Sequence, residues 1–296
     1  MDKIKLTIVM LLWGSIGVFT KQINLSPIIL SFLRAAIALP VLYLFIKYKG
    51  KSLKYDFKTL RPYIISGILL GLGWTTLFYG YKNTSISSAV IIYNMCPIYV
   101  MIAAPFILKE KITKLQIGII AVSFMGLLMV IGNSAQTGSN VLGMVLSGLS
   151  GMIYAAIVII NKKIKRKIDS NSATFVQVAA SVIILMPFVL AEGQIGDIFN
   201  LDAKGLVLTI ILGAVHTGVA YALYFSTYDK VASVDIVTFG YLEPIFGILI
   251  GMVVLGERLS TVQILGGMII LGSTYLGEYL KYKRQILQME AVRETE

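Results

Sequence analysis

The residue most able to do chemistry in this sequence is Glu243, a carboxylate inside a long apolar stretch and directly before Pro244. A charge near the middle of a bilayer is expensive, so it normally faces a bundle interior or a wet cavity and marks a transport pathway. Pro244 removes one backbone hydrogen bond, which a membrane helix tolerates only where neighbours or water satisfy the freed carbonyl. Gly247 and Gly251 follow at a spacing that lets another helix approach closely. The stretch 235–257 therefore predicts a broken membrane helix that carries a buried charge.

Glu243 has two kinds of role open to it. It can bind a cationic group or carry a coupling proton, because desolvation favours the neutral form of a carboxylate. It can instead be structural, by capping the broken helix or by pairing with Arg34, which lies about 10 Å into the second apolar stretch. Arg34 in turn can hold a carboxylate bidentately or form a structural or gating ion pair. These alternatives stay open on sequence grounds.

Residue counts from the ends of the apolar stretches place other polar and aromatic side chains at a similar depth. His216 and Glu243 both lie about 16 Å into their helices, and Asn94 lies about 12 Å into its own. A solvated histidine titrates near neutral pH and can contact substrate or shuttle protons, although a histidine packed between helices is the alternative. Deep tyrosine hydroxyls need partners, yet plain core packing is the alternative for each aromatic residue. The predicted substrate-binding residues are Trp74, Tyr93, Asn94, Tyr154, His216, Tyr221, Tyr241 and Glu243, and the predicted coupling or gating residues are Glu243 and Arg34.

The composition identifies the class of protein that must position these residues. The chain of 296 residues is 57% hydrophobic and only 14% charged, with a mean hydropathy of +0.82. A soluble domain could not bury that much apolar surface, so an all-α polytopic membrane protein is expected. With one cysteine and one histidine, neither a disulfide nor a Cys/His metal site is predicted. The sequence also has no ATP-binding loop and no nucleophile–base pair, so neither an enzyme nor a cofactor is expected.

Ten apolar segments are each long enough to cross or nearly cross a bilayer core of about 30 Å. They are roughly residues 4–20, 27–46, 60–80, 86–107, 114–132, 140–160, 171–190, 205–226, 232–255 and 261–280. Most Lys and Arg residues near the ends of these segments fall on one side if both termini are cytoplasmic. This asymmetry explains the net charge of +11 better than nucleic-acid binding does. We expect a multi-pass protein of the inner or plasma membrane with both termini in the cytoplasm.

An internal repeat organises these segments. When the sequence is shifted by 147 residues, several polar and proline residues of the first half align with identical residues of the second half. The pairs are Tyr81 and Tyr228, Pro97 and Pro244, Glu110 and Glu257, and Gln116 and Gln263. The predicted units are residues 1–133, residues 134–280 and a charged cytoplasmic tail, 281–296. Five spans per unit is an odd number, so the second unit must be inverted relative to the first. Such an inverted pair is the usual frame for alternating access.

Several of these stretches resemble the repeats of EamA-type transporters of the drug/metabolite transporter superfamily. They are SPIILSFLRAAIALP, the segment from Tyr81 to Thr113, and the segment from Val231 to Gly277 with its P…GE-R-L…Q-x-x-G pattern. The first half departs from that pattern, with Lys109 in place of the glycine before Glu110 and Asn94-Met95-Cys96 before Pro97. The resemblance implies ten helices, an inverted repeat and export of small metabolites, often amino acids or related compounds.

The sequence thus predicts a secondary transporter that exports a small organic metabolite, such as an amino acid, by alternating access around a midplane cavity. Its expected partners are a small-molecule substrate and the lipid bilayer. Coupling to protons and the choice between a monomer and a homodimer are left open. The alternative from another class is a membrane sensor or scaffold that binds a small ligand without transporting it.

Overall fold

The computed structural model is all-helical over the residues that it describes, which are 2–109, 112–133, 140–164, 168–193, 195–227, 231 and 233–293. The helices are α1 Asp2–Gln22, α2 Pro27–Tyr48, α3 Phe57–Asn83, α4 Ile86–Tyr93, α5 Cys96–Ile107, α6 Lys114–Gly132, α7 Val141–Lys163, α8 Ser170–Glu192, α9 Ala203–Gly213, α10 Ala220–Thr227, α11 Ser233–Gly240, α12 Leu242–Leu255 and α13 Thr261–Arg293. A short 3₁₀ helix, Ile195–Asn200, precedes α9, and a π-helical segment, Ala214–Val219, joins α9 to α10.

Nine helical segments within these described ranges are long and apolar enough to cross a membrane. They correspond to the first nine predicted spans, and the protein is accordingly a multi-pass membrane protein. The tenth predicted span, 261–280, forms the start of α13, which is not among the nine. The ten-helix arrangement therefore stays a prediction. The predicted boundary between the two repeats, at 133 and 134, borders residues 134–139, which lie outside the described part of the chain.

Polar side chains set where many of the helices begin. A helix leaves its first N–H groups without backbone partners, and a short polar side chain just before it can accept from one of them. Thr113 and Gln116 form a reciprocal pair of this kind at the start of α6. Single caps of the same type occur at α2, α3, α4, α7, α8 and α9, where the residues are Ser26, Asp56, Ser85, Asn140, Asp169 and Asp202.

Two of the predicted spans are broken near their middles. The span 86–107 divides into α4 and α5 at Asn94, and the ninth span divides into α11 and α12 at Tyr241. Pro97 and Pro244 lie in the first turns of α5 and α12, where a proline without an N–H is tolerated. The break beside Pro244 is therefore confirmed, whereas the break at Asn94 divides a segment that was predicted to be continuous. Asn94 and Tyr241 are equivalent in the 147-residue register.

Helix α12 packs closely against α1 along its glycine face. A Cβ atom built on Gly247 would lie 3.2 Å from the carbonyl oxygen of Gly14, and one built on Gly14 would lie 2.6 Å from the carbonyl oxygen of Glu243. The predicted close approach at Gly247 is thus confirmed. Elsewhere α2 packs on α8 and on the π-helical segment, α3 packs on α7 and α8, α4 packs on α7 and α12, and α6 packs on α13. These contacts surround the two broken helices with continuous helices.

Candidate functional site

A cavity of about 210 Å³ lies where residues from both broken helices meet residues from α1, α2, α3, α7 and α10. Most of the predicted site residues line it together: Arg34, Trp74, Tyr93, Asn94, Tyr154, Tyr221 and Glu243. Other lining residues were not among the predicted site residues, namely Trp13, Ile16, Leu77, Tyr81, Cys96 and Pro97. An aromatic enclosure with a few convergent polar groups is typical of a site for a small organic molecule.

Arg34 is held rigidly in the wall of this cavity. Its side chain comes from α2 and the residue is 3% exposed. Nε donates to Thr217 Oγ1 at 2.6 Å, and the guanidinium carbon lies 4.3 Å from the ring centre of Trp74 and 5.6 Å from that of Phe78. Cation–π contact of this kind stabilises a desolvated guanidinium. The terminal nitrogens of Arg34 donate to no other described residue, so a fork of donors faces the cavity.

Thr217 reaches Arg34 because of the π-helical segment. In this segment the Thr217 hydroxyl donates to the carbonyl of Leu212, five residues earlier, at 2.9 Å. A π-helical turn places i and i+5 together and leaves side chains in positions that a regular α-helix would not give. The hydroxyl therefore has one oxygen lone pair directed at Arg34 and its proton committed to the backbone.

Glu243 brings a carboxyl group into the same cavity. It lies in the first turn of α12, where the helix dipole and free N–H groups favour a negative charge. Within the described part of the chain, no group donates a hydrogen bond to this carboxylate, and no cation pairs with it within 4.0 Å. An ion pair between Glu243 and Arg34, one of the alternatives considered from the sequence, is accordingly not formed here. A guanidinium and a carboxyl group therefore line one cavity without forming an ion pair with each other.

Aromatic rings form most of the remaining wall. Trp13 lies 5.2 Å from both Tyr221 and Tyr224, centre to centre, and Tyr221 stacks on Trp74 at 6.5 Å. On another side of the cavity Tyr93 and Tyr154 are 6.0 Å apart. Rings at these separations and tilts attract one another beyond their apolar burial. The result is a fixed aromatic lining instead of a set of loose side chains.

His216 does not line this cavity, although residue counts predict the same depth for it as for Glu243. The residue is 1% exposed. Its Nε2 shares a hydrogen bond with Ser15 Oγ at 2.9 Å, Nδ1 donates to the carbonyl of Ile211 at 3.3 Å, and its ring packs on Phe19 at 4.5 Å. Its backbone carbonyl also accepts from Trp13 Nε1 at 3.0 Å. This geometry corresponds to the packed histidine considered from the sequence, which supports the cavity wall from behind.

Tyr241 also lies away from the cavity. It is at the break between α11 and α12, and its ring meets that of Tyr275 on α13 edge to face at 5.3 Å. The equivalent residue of the first half, Asn94, does line the cavity, and its amide donates to the carbonyl of Val90 at 2.8 Å. The two breaks therefore contribute different chemistry: a polar amide in the first half and the carboxylate Glu243 beside the break in the second.

Comparison with known protein families adds independent information. A family model described as the EamA-like transporter family matches residues 4–132 and matches again over residues 141–277. A crystal structure of another protein superposes on this one with a TM-score of 0.61 at 15% identity, covering 94% of this chain and 98% of that chain. That likeness shows a shared fold.

Two of the following three relatives are named as transporters. The chain is 27% identical over 268 residues to the uncharacterized transporter YxxF of Bacillus subtilis (strain 168), covering 89% of this chain and 85% of that protein. It is 27% identical over 258 residues to an S-adenosylmethionine uptake transporter of Rickettsia bellii (strain RML369-C), covering 86% and 84% of the two chains. It is 22% identical to protein PecM of Dickeya dadantii (strain 3937), with 86% and 84% covered.

Proposed function

The chain belongs to the EamA-like transporter family, and we propose that it is a secondary transporter that moves a small organic metabolite by alternating access around the cavity of Arg34 and Glu243. The observation that carries this proposal is that a guanidinium and a carboxyl group, not paired with each other, line one aromatic cavity of a membrane protein. Charged groups at this depth are retained where they serve a pathway or a ligand.

The charges favour an amphoteric substrate, such as an amino acid or a related compound. The free fork of Arg34 matches a carboxylate, which a guanidinium binds through two parallel hydrogen bonds. Glu243 matches an ammonium or another cationic group, and the rings of Tyr93 and Tyr221 can add cation–π attraction. Relatives in Rickettsia are named for uptake of S-adenosylmethionine, and a small organic metabolite as the substrate of this chain is consistent with that name. A proton on Glu243 is the other way to neutralise that carboxylate when substrate is absent.

The mechanism that we propose is rocking of two inverted five-helix halves, residues 1–133 and 134–280, with α13 as the tenth span. Reciprocal packing supports it. Helix α1 packs on α12, and the equivalent helix of the second half, α7, packs on α4 and α5. Likewise, α2 packs on α9 and the π-helical segment, and its equivalent, α8, packs on α3. The equivalent breaks at Asn94 and Tyr241 also fit two halves of one design, because broken helices mark the binding site in such transporters.

Flux through reconstituted protein tests this function. Proteoliposomes are loaded with labelled amino acids, or with matched analogues whose amino or carboxyl group is blocked, and efflux is followed against protein-free vesicles. We expect flux of at least one solute with both charges and much slower flux of its blocked analogues. Binding of such a solute without flux would instead favour the sensor or scaffold.

The same vesicles test direction and coupling. We propose export from the cytoplasm of a cell bounded by an inner or plasma membrane, with both termini cytoplasmic. Efflux that responds to an imposed pH gradient would support coupling to protons, and efflux that ignores it would support facilitated exchange. Loading from the opposite face measures uptake under the same conditions, so a preference for uptake would contradict the export proposal.

A further inference from the structure

At one end of the bundle, a carboxylate joins the two predicted halves of the chain. Glu257 follows α12, and its side chain is 8% exposed. It accepts from the backbone N–H groups of Ile86 at 2.6 Å and Ser87 at 2.9 Å, and from Ser87 Oγ at 2.9 Å. Lys21, at the end of α1, pairs with it at 3.3 Å. A carboxylate on the free N–H groups of a helix start, with a cation beside it, is a strong combination.

The backbone around Glu257 directs its side chain onto α4. Gly256 has φ +65°, a conformation that favours glycine, and it ends α12 so that the chain turns back. The Glu257 N–H then donates to the carbonyl of Gly251 at 3.3 Å. A Cβ atom on Gly251 would lie 2.9 Å from Glu257 Oε2, so the absence of a side chain there makes room for the carboxylate. The turn at Gly256 and the missing side chain at Gly251 thus both allow the contact of Glu257 with α4.

An apolar layer separates this contact from the cavity. Ile86 and Val90 of α4 are buried in one cluster with Ile16 and Tyr81. Ile16 and Tyr81 also line the cavity. Glu257 thus fixes the start of α4, whose side chains pack over residues of the cavity wall. If α4 moves away from α12 and α1, this layer opens toward the end of the bundle that carries Glu257.

We infer that Glu257 is a positioning residue that holds this mouth of the cavity closed, and that its release from α4 opens the mouth during transport. The inference rests on the proposed function. In this role Glu257 does not contact the substrate, because it lies outside the cavity. By the charge asymmetry of the sequence, the Glu257 end is the extracytoplasmic one.

The chain carries its own reporter for the test. Cys96 is the only cysteine in the sequence, lines the cavity and is 8% exposed. Right-side-out and inside-out vesicles are treated with a membrane-impermeant maleimide, which reaches Cys96 only through the mouth on the treated side. The Cys96→Ser variant gives the background. The variants compared are Glu257→Gln and, to keep the charge with a shorter reach, Glu257→Asp.

Asp235→Asn provides the matched control. Asp235 pairs with Lys3 at 2.9 Å, so this variant also removes a carboxylate from an ion pair that joins α1 to the second half. We expect Glu257→Gln to label about tenfold faster than wild type from the Glu257 side, because a hydrogen bond to a charged group contributes at least this factor to an equilibrium. Glu257→Asp should label at an intermediate rate. Asp235→Asn should not accelerate labelling from that side.

Labelling from the opposite side separates gating from general loosening. In alternating access, a protein that opens more at one mouth opens less at the other, so Glu257→Gln should label more slowly from the opposite side. Acceleration from the Glu257 side with no change opposite would support the closing role of Glu257 and contradict alternating access. Acceleration from both sides, or no acceleration in a folded variant, would overturn the inference.

Discussion

At the scale of single residues, the site combines a fixed guanidinium with a carboxyl group that accepts no hydrogen bond from the residues the structure describes. Residue counts along the chain predict one depth for His216 and Glu243, but depth does not give direction around the helix axis. Glu243 lines the cavity, whereas His216 contacts Ser15 and Phe19. The π-helical segment decides where His216 points, and nothing in its sequence, AVHTGV, predicted that segment.

Glu243→Gln tests the role of the unpaired carboxylate. The change removes no ion pair, so we expect the melting temperature to stay the same or to rise as an uncompensated buried charge disappears. Affinity for an amphoteric solute should fall about tenfold or more, the effect of losing a hydrogen bond to a charged group. Thermal-shift titration with an amino acid measures both quantities. A large fall in melting temperature would instead indicate a hidden structural partner, and Glu243→Asp provides the charge-preserving control.

His216→Ala tests the supporting role of the buried histidine. Removing the ring leaves Ser15 and the Ile211 carbonyl with one partner fewer and leaves a space beside Phe19. We expect a loss of about 1–3 kcal/mol in unfolding free energy, the typical cost of such unsatisfied groups. Denaturant unfolding of the solubilised protein measures it. An unchanged stability together with a lost response to pH in transport would contradict this assignment and favour a proton shuttle.

At the scale of helices, proline and glycine positions carried most of the predictive information. Pro244 indicated the break that separates α11 from α12, and Gly247 indicated the close contact with α1. The break at Asn94 was not predicted, although Pro97 is equivalent to Pro244, because the first half has Cys96 where the second half has the charged Glu243 directly before its proline. Tyr241 and Asn94 are equivalent in the register, but only the structure shows that their side chains have different surroundings.

Gly14→Ala tests the α1–α12 contact. The new methyl group would lie 2.6 Å from the carbonyl oxygen of Glu243, so α1 and α12 must separate. We expect a clear fall in melting temperature and reduced transport, since overpacking typically costs about 1–3 kcal/mol. Gly118→Ala is the matched control, because a Cβ atom there meets nothing within 4 Å. Equal melting temperatures for the two variants would contradict the tight contact.

At the scale of the whole molecule, the orientation in the membrane is a prediction from charge alone. Reporter fusions after Lys58, Lys114 and Arg166 should report the cytoplasm, and fusions after Gln136 and Gln194 should report the exterior. The reason is that basic residues near span ends are retained in the cytoplasm. The five-plus-five inverted scheme has an even number of membrane crossings before Arg166. An external signal after Arg166 would require an odd number and would therefore contradict that scheme.

The π-helical segment also records a difference in length between the two halves. Trp74 lies 18 residues after the cap Asp56, whereas its equivalent Tyr221 lies 19 residues after the cap Asp202. A π-helical bulge is how a helix absorbs one inserted residue without shifting the register of its later turns. The two copies therefore differ by one residue in this stretch. Only the longer copy presents Thr217 to Arg34, so the asymmetry of the site comes from chain length as well as from residue identity.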